Sequence, residues 1–256
     1  MFDELRAAHA EIELAPGVPD VAAFPRSAWL RAERRVLADL PARALAYGDP
    51  RGERALRSEV AAWLARFRGL RVDPELVVVV EGVAQALSLL ARVLQAAGHG
   101  TVAVEDPGSL GARELLTSWG LATPPVGVDD RGLRVDELRP TGADVVLTTP
   151  AHQFPLGVVL DGGRRRELAA WTAGGGLVIE DDYDAEHRYD RRPVAAVAAT
   201  LPGSVFYTGS VSKLLAPGRY GSGGWSSRRG GTRPSWRRSA RPTSATRSSR
   251  SWFSLR

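Results

Sequence analysis

Residues 76–98 read LVVVVEGVAQALSLLARVLQAAG, and the two halves of that stretch follow different periods. Residues 76–80 are a short, continuous apolar run of the kind that suits a strand covered on both faces, as strands are in parallel sheets. Gly82 then turns the chain. Residues 84–97 carry apolar side chains at helical spacing and end at Gly98. Strand, glycine turn and helix make one half of a β–α–β unit.

The alternation extends in both directions. Helices are predicted over 27–40, 52–68, 109–119 and 163–173, with a turn at Tyr47-Gly48-Asp49-Pro50 between the first two. Strands are predicted over 101–105, 144–149, 176–180 and 204–208. The pattern implies an α/β fold with a mostly parallel sheet flanked by helices. Ligands of such sheets sit beyond the carboxyl ends of the strands. The segments to search for chemistry are therefore Glu81-Gly82-Val83-Ala84, Glu105-Asp106-Pro107, His152-Gln153-Phe154, Asp181-Asp182-Tyr183 and Ser210-Val211-Ser212-Lys213.

Composition narrows the class. The 256 residues are 44% hydrophobic, enough for one sizeable core. Cys is absent, which excludes disulfides and thiolate chemistry and fits a cytoplasmic protein. No apolar run reaches the roughly 18 residues of a membrane span, and residues 1–14 lack the apolar centre of a signal peptide. The net charge of +5 comes from the end of the chain. Residues 219–256 hold ten Arg and no acid, which leaves 24 basic residues against 29 acidic ones in 1–218. The basic character therefore gives the body of the chain no nucleic-acid reading.

Lys occurs once, at Lys213. Arg cannot replace an amine that must lose its proton and bond to an aldehyde carbon. A lysine just past a strand end, preceded by Ser210 and Ser212, can project into a cleft. A solvated surface lysine is the plain alternative. Glu180-Asp181-Asp182-Tyr183 places three acids at a sheet end, a costly arrangement unless they meet a cation or solvent. A carboxylate against a pyridine nitrogen, a metal site, or acids at a helix N-terminus would each account for it. The glycine turn at Gly82 leaves helix N-terminal amides, a ready phosphate site. Many α/β turns share that feature.

Taken in order, these segments are recognisable. The chain resembles the class I/II aminotransferase family of fold-type-I pyridoxal 5′-phosphate (PLP) enzymes. In detail it is similar to the aminotransferase-like domain of MocR-type regulators of the GntR superfamily. The matching runs are APGVPD (15–20), FPRSAW (24–29), YGDPRG (47–52), GVAQAL (82–87), EDPG (105–108), TTPAHQFPLG (148–157), IEDDYDAEHRY (179–189) and GSVSKLLAPG (209–218). The resemblance implies a PLP imine on Lys213, Asp181 against the ring nitrogen and Tyr183 at the ring hydroxyl. It implies that the amides of Val83 and Ala84 and the hydroxyl of Ser210 hold the phosphate. Tyr47 would reach the cofactor of a second subunit, which implies a homodimer. In transamination of a small amino acid with an oxo acid, Lys213 would also carry the α-proton. No metal is implied.

Departures from the family pattern modify these expectations. Ser109 stands where an aromatic residue commonly stacks on the ring. Phe154 replaces an Asn, so the bond to the ring oxygen falls to His152 or Gln153. Arg219, matching a phosphate-binding Arg, follows Gly218 with one residue fewer than the family's APG-L-R-x-G-W. The chain divides into a linker remnant (1–14), a PLP-binding large domain (15–218) and an Arg/Ser/Gly-rich terminus (219–256). In the terminus no helix or strand is predicted. It reads as disordered or frame-shifted, with a basic nucleic-acid-binding or membrane-binding tail as the other reading. Deleting it is expected to leave stability nearly unchanged. The family's C-terminal small domain and the regulators' winged-helix DNA-binding domain have no counterpart, which argues against nucleic-acid binding. Three functions stand open: amino-group transfer, effector sensing in a transcription regulator, and a non-functional truncated product.

Overall fold

The computed structural model describes residues 20–184, 194–201, 203–213 and, for the backbone, 224–227. The helices are α1 (Arg26–Asp39), α2 (Arg54–Arg68), α3 (Val83–Ala96), α4 (Leu110–Ser118), α5 (Gly162–Ala173) and α6 (Val197–Thr200). The strands are β1 (Val78–Val80), β2 (Val102–Asp106), β3 (Pro125–Asp129), β4 (Gly132–Leu133), β5 (Val145–Thr148), β6 (Leu177–Asp182), β7 (Val205–Ser210) and β8 (Gly224–Ser227). They form one sheet in the order β1-β8-β7-β6-β5-β2-β3-β4. The β7–β6–β5–β2–β3 run is parallel, while β8 and β4 are antiparallel to their neighbours.

Strand alternation builds two cores. Ala103, Val146, Val178, Val205 and Tyr207 face α2, α5 and α6, where Leu64 and Leu168 are fully buried. Val102, Val104, Leu147, Ile179 and Phe206 face α3 and α4. Helix α3 buries Ala86, Leu87, Leu90, Ala91 and Leu94, a stripe at helical spacing. Because β5 and β7 are buried on both faces, each opens on an apolar run, Val145–Leu147 and Val205–Tyr207.

The mostly parallel sheet agrees with the sequence reading, and the differences lie at element ends. Helix α2 starts at Arg54 rather than at 52 because Gly52 holds a left-handed φ of 103° in the preceding turn. Strand β6 continues past its apolar run to Asp182, since Asp181 and Asp182 stay in register with Thr208 and Gly209. Three short strands escape the sequence pattern. Strand β3 opens on Pro125, and β4 has two residues. Strand β8 corrects the expectation that nothing regular follows Gly218. Its four residues lie between β1 and β7, and their Gly/Ser content hides them from any hydrophobic period.

Candidate functional site

Val83, Ala84, Asp181, Ser210 and Lys213 lie at or just past the carboxyl ends of β1, β6 and β7. Val83 and Ala84 open α3 directly after β1 and Gly82. Their amides lie in the first turn, where a helix offers no acceptor of its own. Val80, which ends β1 just before α3, and Ser210 both pair with Gly224 of β8, which puts the α3 N-terminus at the same end as Ser210 and Lys213. Ser210 closes β7, and its hydroxyl shares a hydrogen bond with the Ser212 hydroxyl at 2.8 Å and accepts from the Ser212 amide at 3.2 Å. That turn carries the chain off the sheet to Lys213, which is partly buried.

The acid run sorts itself by strand alternation. Glu180 is fully buried on the α6 face and accepts the amides of Val197 and Ala198, each at 2.8 Å. Burial raises its carboxyl to about 7, repulsion by Asp182 adds to this, and the two amides and Arg68 oppose it. Asp182, on the same face, accepts from Arg68 Nε at 2.6 Å and from the Tyr207 hydroxyl. Asp181 faces the other way, into a small cleft that it lines with Glu105, Ser109, Ala112, Leu147 and Thr149. The Thr208 hydroxyl donates to its Oδ1 at 3.3 Å. Burial lifts Asp181 to about 7; the Thr208 bond works against this, and Asp182, Glu105 and Asp184 reinforce it by repulsion.

Tyr183 follows directly after the end of β6. Its ring stacks on His152 (centroids 5.9 Å, planes 18° apart) and meets Phe154 edge-on at 6.2 Å. Burial pushes its phenol above the usual range, as do the acids around it. His152 Nδ1 lies 2.7 Å from Asp184 Oδ2. Gln153, the other of the two residues considered for the ring oxygen, is buried in its own loop. It is 2% exposed, and its amide nitrogen donates to Glu105 and to the carbonyls of Pro107 and Phe154 while its oxygen accepts from Leu156. Of the two candidates for a ring-oxygen contact, Gln153 is thus committed to holding its own loop. Ser109 caps α4 by accepting from Ala112 at 3.3 Å. Tyr47 is fully exposed and stands clear of its own chain. Arg219 lies outside the described residues.

Several residues that shape the site carry no role in the sequence reading. Glu105, at the end of β2, accepts from the hydroxyls of Thr148 and Thr149, from the Thr149 amide at 3.2 Å and from Gln153 at 3.2 Å. Burial raises its carboxyl against those bonds. Its place after a strand was the only available signal. Arg68 lies 114 positions before the aspartate that it meets, and nothing local marks it.

The donor set fits PLP. A helix N-terminus and a serine suit a phosphate, an amine follows the strand end, and a cleft carboxyl stands among like charges with a hydroxyl as its hydrogen-bond partner. A cationic ring nitrogen is the partner that such a carboxyl lacks on electrostatic grounds. Among the described residues no cluster of His, Cys, Asp and Glu could hold a metal.

Comparison with known proteins agrees with this geometry. The sequence profile of the class I and II aminotransferases matches residues 11–226, and the chain belongs to that family. Within the family its relatives include regulators. It is 37% identical over 207 residues to the HTH-type pyridoxine biosynthesis transcriptional regulator PdxR of Corynebacterium glutamicum, covering 80% of this chain and 44% of that one. It is 35% identical over 209 residues to the probable rhizopine catabolism regulatory protein MocR of Rhizobium meliloti, covering 80% and 42%. Among solved structures, an archaeal alanine:glyoxylate aminotransferase superposes with a TM-score of 0.76 at 30% identity, over 90% of this chain and 58% of that one. The fold is thus the large domain of the fold-type-I aminotransferases. The chain spans less than half the length of these two curated relatives and a little over half of the solved one.

Proposed function

We propose that the chain is a PLP-binding aminotransferase-like domain whose cofactor is held covalently through Lys213. The observation that carries the reading is Asp181, a cleft-facing carboxyl one strand away from the β7 end that leads to Lys213. Bound there, PLP supplies an electron sink for the α-carbon of an amino acid. Asp181 holds the proton at the ring nitrogen. The amides of Val83 and Ala84 and the hydroxyl of Ser210 bind the phosphate, with Arg219 added if it reaches it. Tyr183 donates its phenol hydrogen towards the ring oxygen, and His152 packs beside it. In amino-group transfer between a small amino acid and an oxo acid, Lys213 Nζ would move the proton between the substrate α-carbon and the cofactor C4′.

A second copy completes the site in this reading. Tyr47 is fully exposed, and α1 buries none of its residues within the chain, with Leu30 and Leu37 about half exposed. A homodimer would cover that face and bring Tyr47 to the neighbouring phosphate. No described helix is long and apolar enough to cross a membrane. The regulator relatives favour a second function for the same site: PLP or an amino-acid effector is sensed without turnover.

The test is a PLP titration followed by absorbance, with borohydride trapping and mass mapping. A cofactor band and an adduct on Lys213 are expected, both lost in Lys213→Ala. Equal spectra for the two proteins would refute the reading. Supplying an amino acid and an oxo acid then separates its branches, since turnover supports transfer and binding without turnover supports sensing.

A further inference from the structure

Asp181 and Asp182 are chemically identical neighbours on one strand, and they face opposite sides of the sheet. A one-residue slip at the end of β6 would exchange them. Side-chain identity therefore does not decide which aspartate reaches the cleft.

We propose that Arg68 is a positioning residue that makes this choice by gripping Asp182 from behind the sheet. Arg68 ends α2, and its guanidinium works through two arms. Nε donates to Asp182 Oδ2 at 2.6 Å, and Nη1 donates to the Val194 carbonyl at 2.7 Å. The Arg68 carbonyl in turn accepts the Ala196 amide at 3.1 Å. One residue thus ties α2, the end of β6 and the approach to α6 together. Tyr207 sits opposite Glu180 in the β6–β7 register, shares the rear face and donates its hydroxyl to the same carboxyl. The Arg68 and Asp182 side chains are each 2% exposed. A carboxylate at that depth is tolerated only with its counter-charge. Without Arg68 the Asp182 carboxylate is left at the rear of the sheet with no counter-charge, which favours its leaving that position and disturbs the placement of Asp181 beside it. The effect on a cofactor rests on the PLP reading, whereas the placement of the two carboxyls does not.

Carbodiimide-driven coupling of glycine ethyl ester, read by fragment mass spectrometry, reports each carboxyl separately and needs no cofactor. In the native chain, label is expected at Asp181 and little at Asp182 or Glu180. In Arg68→Met the Asp182-to-Asp181 label ratio should rise at least about tenfold, because a buried charge that loses its partner is strongly destabilised. Glu180, held by the α6 amides, should stay unlabelled. Arg68→Lys keeps the charge with one arm and should fall between. An unchanged ratio in both variants overturns the proposal. Labelling of Glu180 in step with Asp182 also overturns it, because that reports general loosening of the core. If Arg68→Met does not fold, Arg68→Lys is judged by the same two criteria. Adding PLP to the native chain should protect Asp181. Failure to protect would refute the cofactor reading and leave the label ratio to decide the role of Arg68.

Discussion

Replacing Asp181 by Asn should stabilise the cofactor-free protein and weaken its hold on PLP. The Asp181 carboxyl is raised from 3.8 to about 7 by burial and by the acids around it. A group whose folded-state value is raised contributes stability that is complete below its unfolded value and lost as pH rises through the folded one. Between those two values the native chain forfeits roughly 4 kcal/mol, reduced to about 2–4 kcal/mol because the side chain keeps some exposure. Asn does not titrate, and its oxygen can still accept from the Thr208 hydroxyl. The advantage of Asp181→Asn should therefore be near zero at about pH 4 and reach about 2–4 kcal/mol by about pH 8. That corresponds to roughly 5–15 °C in melting temperature. Urea unfolding of both proteins across that range measures it. Added PLP should raise the melting temperature of the native chain more than that of the variant, since the ring nitrogen loses its partner. A stability difference that is flat with pH, or that favours the native chain at high pH, would refute the electrostatic reasoning.

Two structural predictions accompany it. Gly52→Ala should cost roughly 2–4 kcal/mol in chemical denaturation, because φ is 103° there and a Cβ would meet Val79 Cβ at 2.8 Å. Contrary to the expectation from sequence that the terminus is dispensable for stability, ending the chain before Gly224 should lower the melting temperature and speed amide exchange in β1, because it removes the strand that pairs β1 with the sheet; unchanged exchange at Val78–Val80 would show that β8 carries no such load.

Much of the site was legible because its parts are local. A glycine turn after an apolar run announces a helix N-terminus, and the single lysine of the chain needs no neighbour to be noticed. Asp181 was legible as a candidate, but its neighbours Glu180 and Asp182 were equally acidic. What separated them was the pairing of β6 with β7, which continues two residues beyond the apolar run. The choice between His152 and Gln153 was left open in the sequence for a related reason. Its amide is consumed by Glu105 and the Pro107 carbonyl, more than forty positions earlier.

Sequence by itself determined the alternation of strands and helices, the buried parallel character of the sheet, and the residue types at its carboxyl end. These follow from hydrophobic period and turn chemistry, which act over a few neighbouring residues. Tertiary structure alone decided how Glu180 and Asp182 are held behind the sheet, that Arg68 is the partner of Asp182, and that a Gly/Ser strand joins β1 to β7. Those outcomes depend on sheet register and on contacts between distant segments. Burial sets their energy, and no local pattern encodes it.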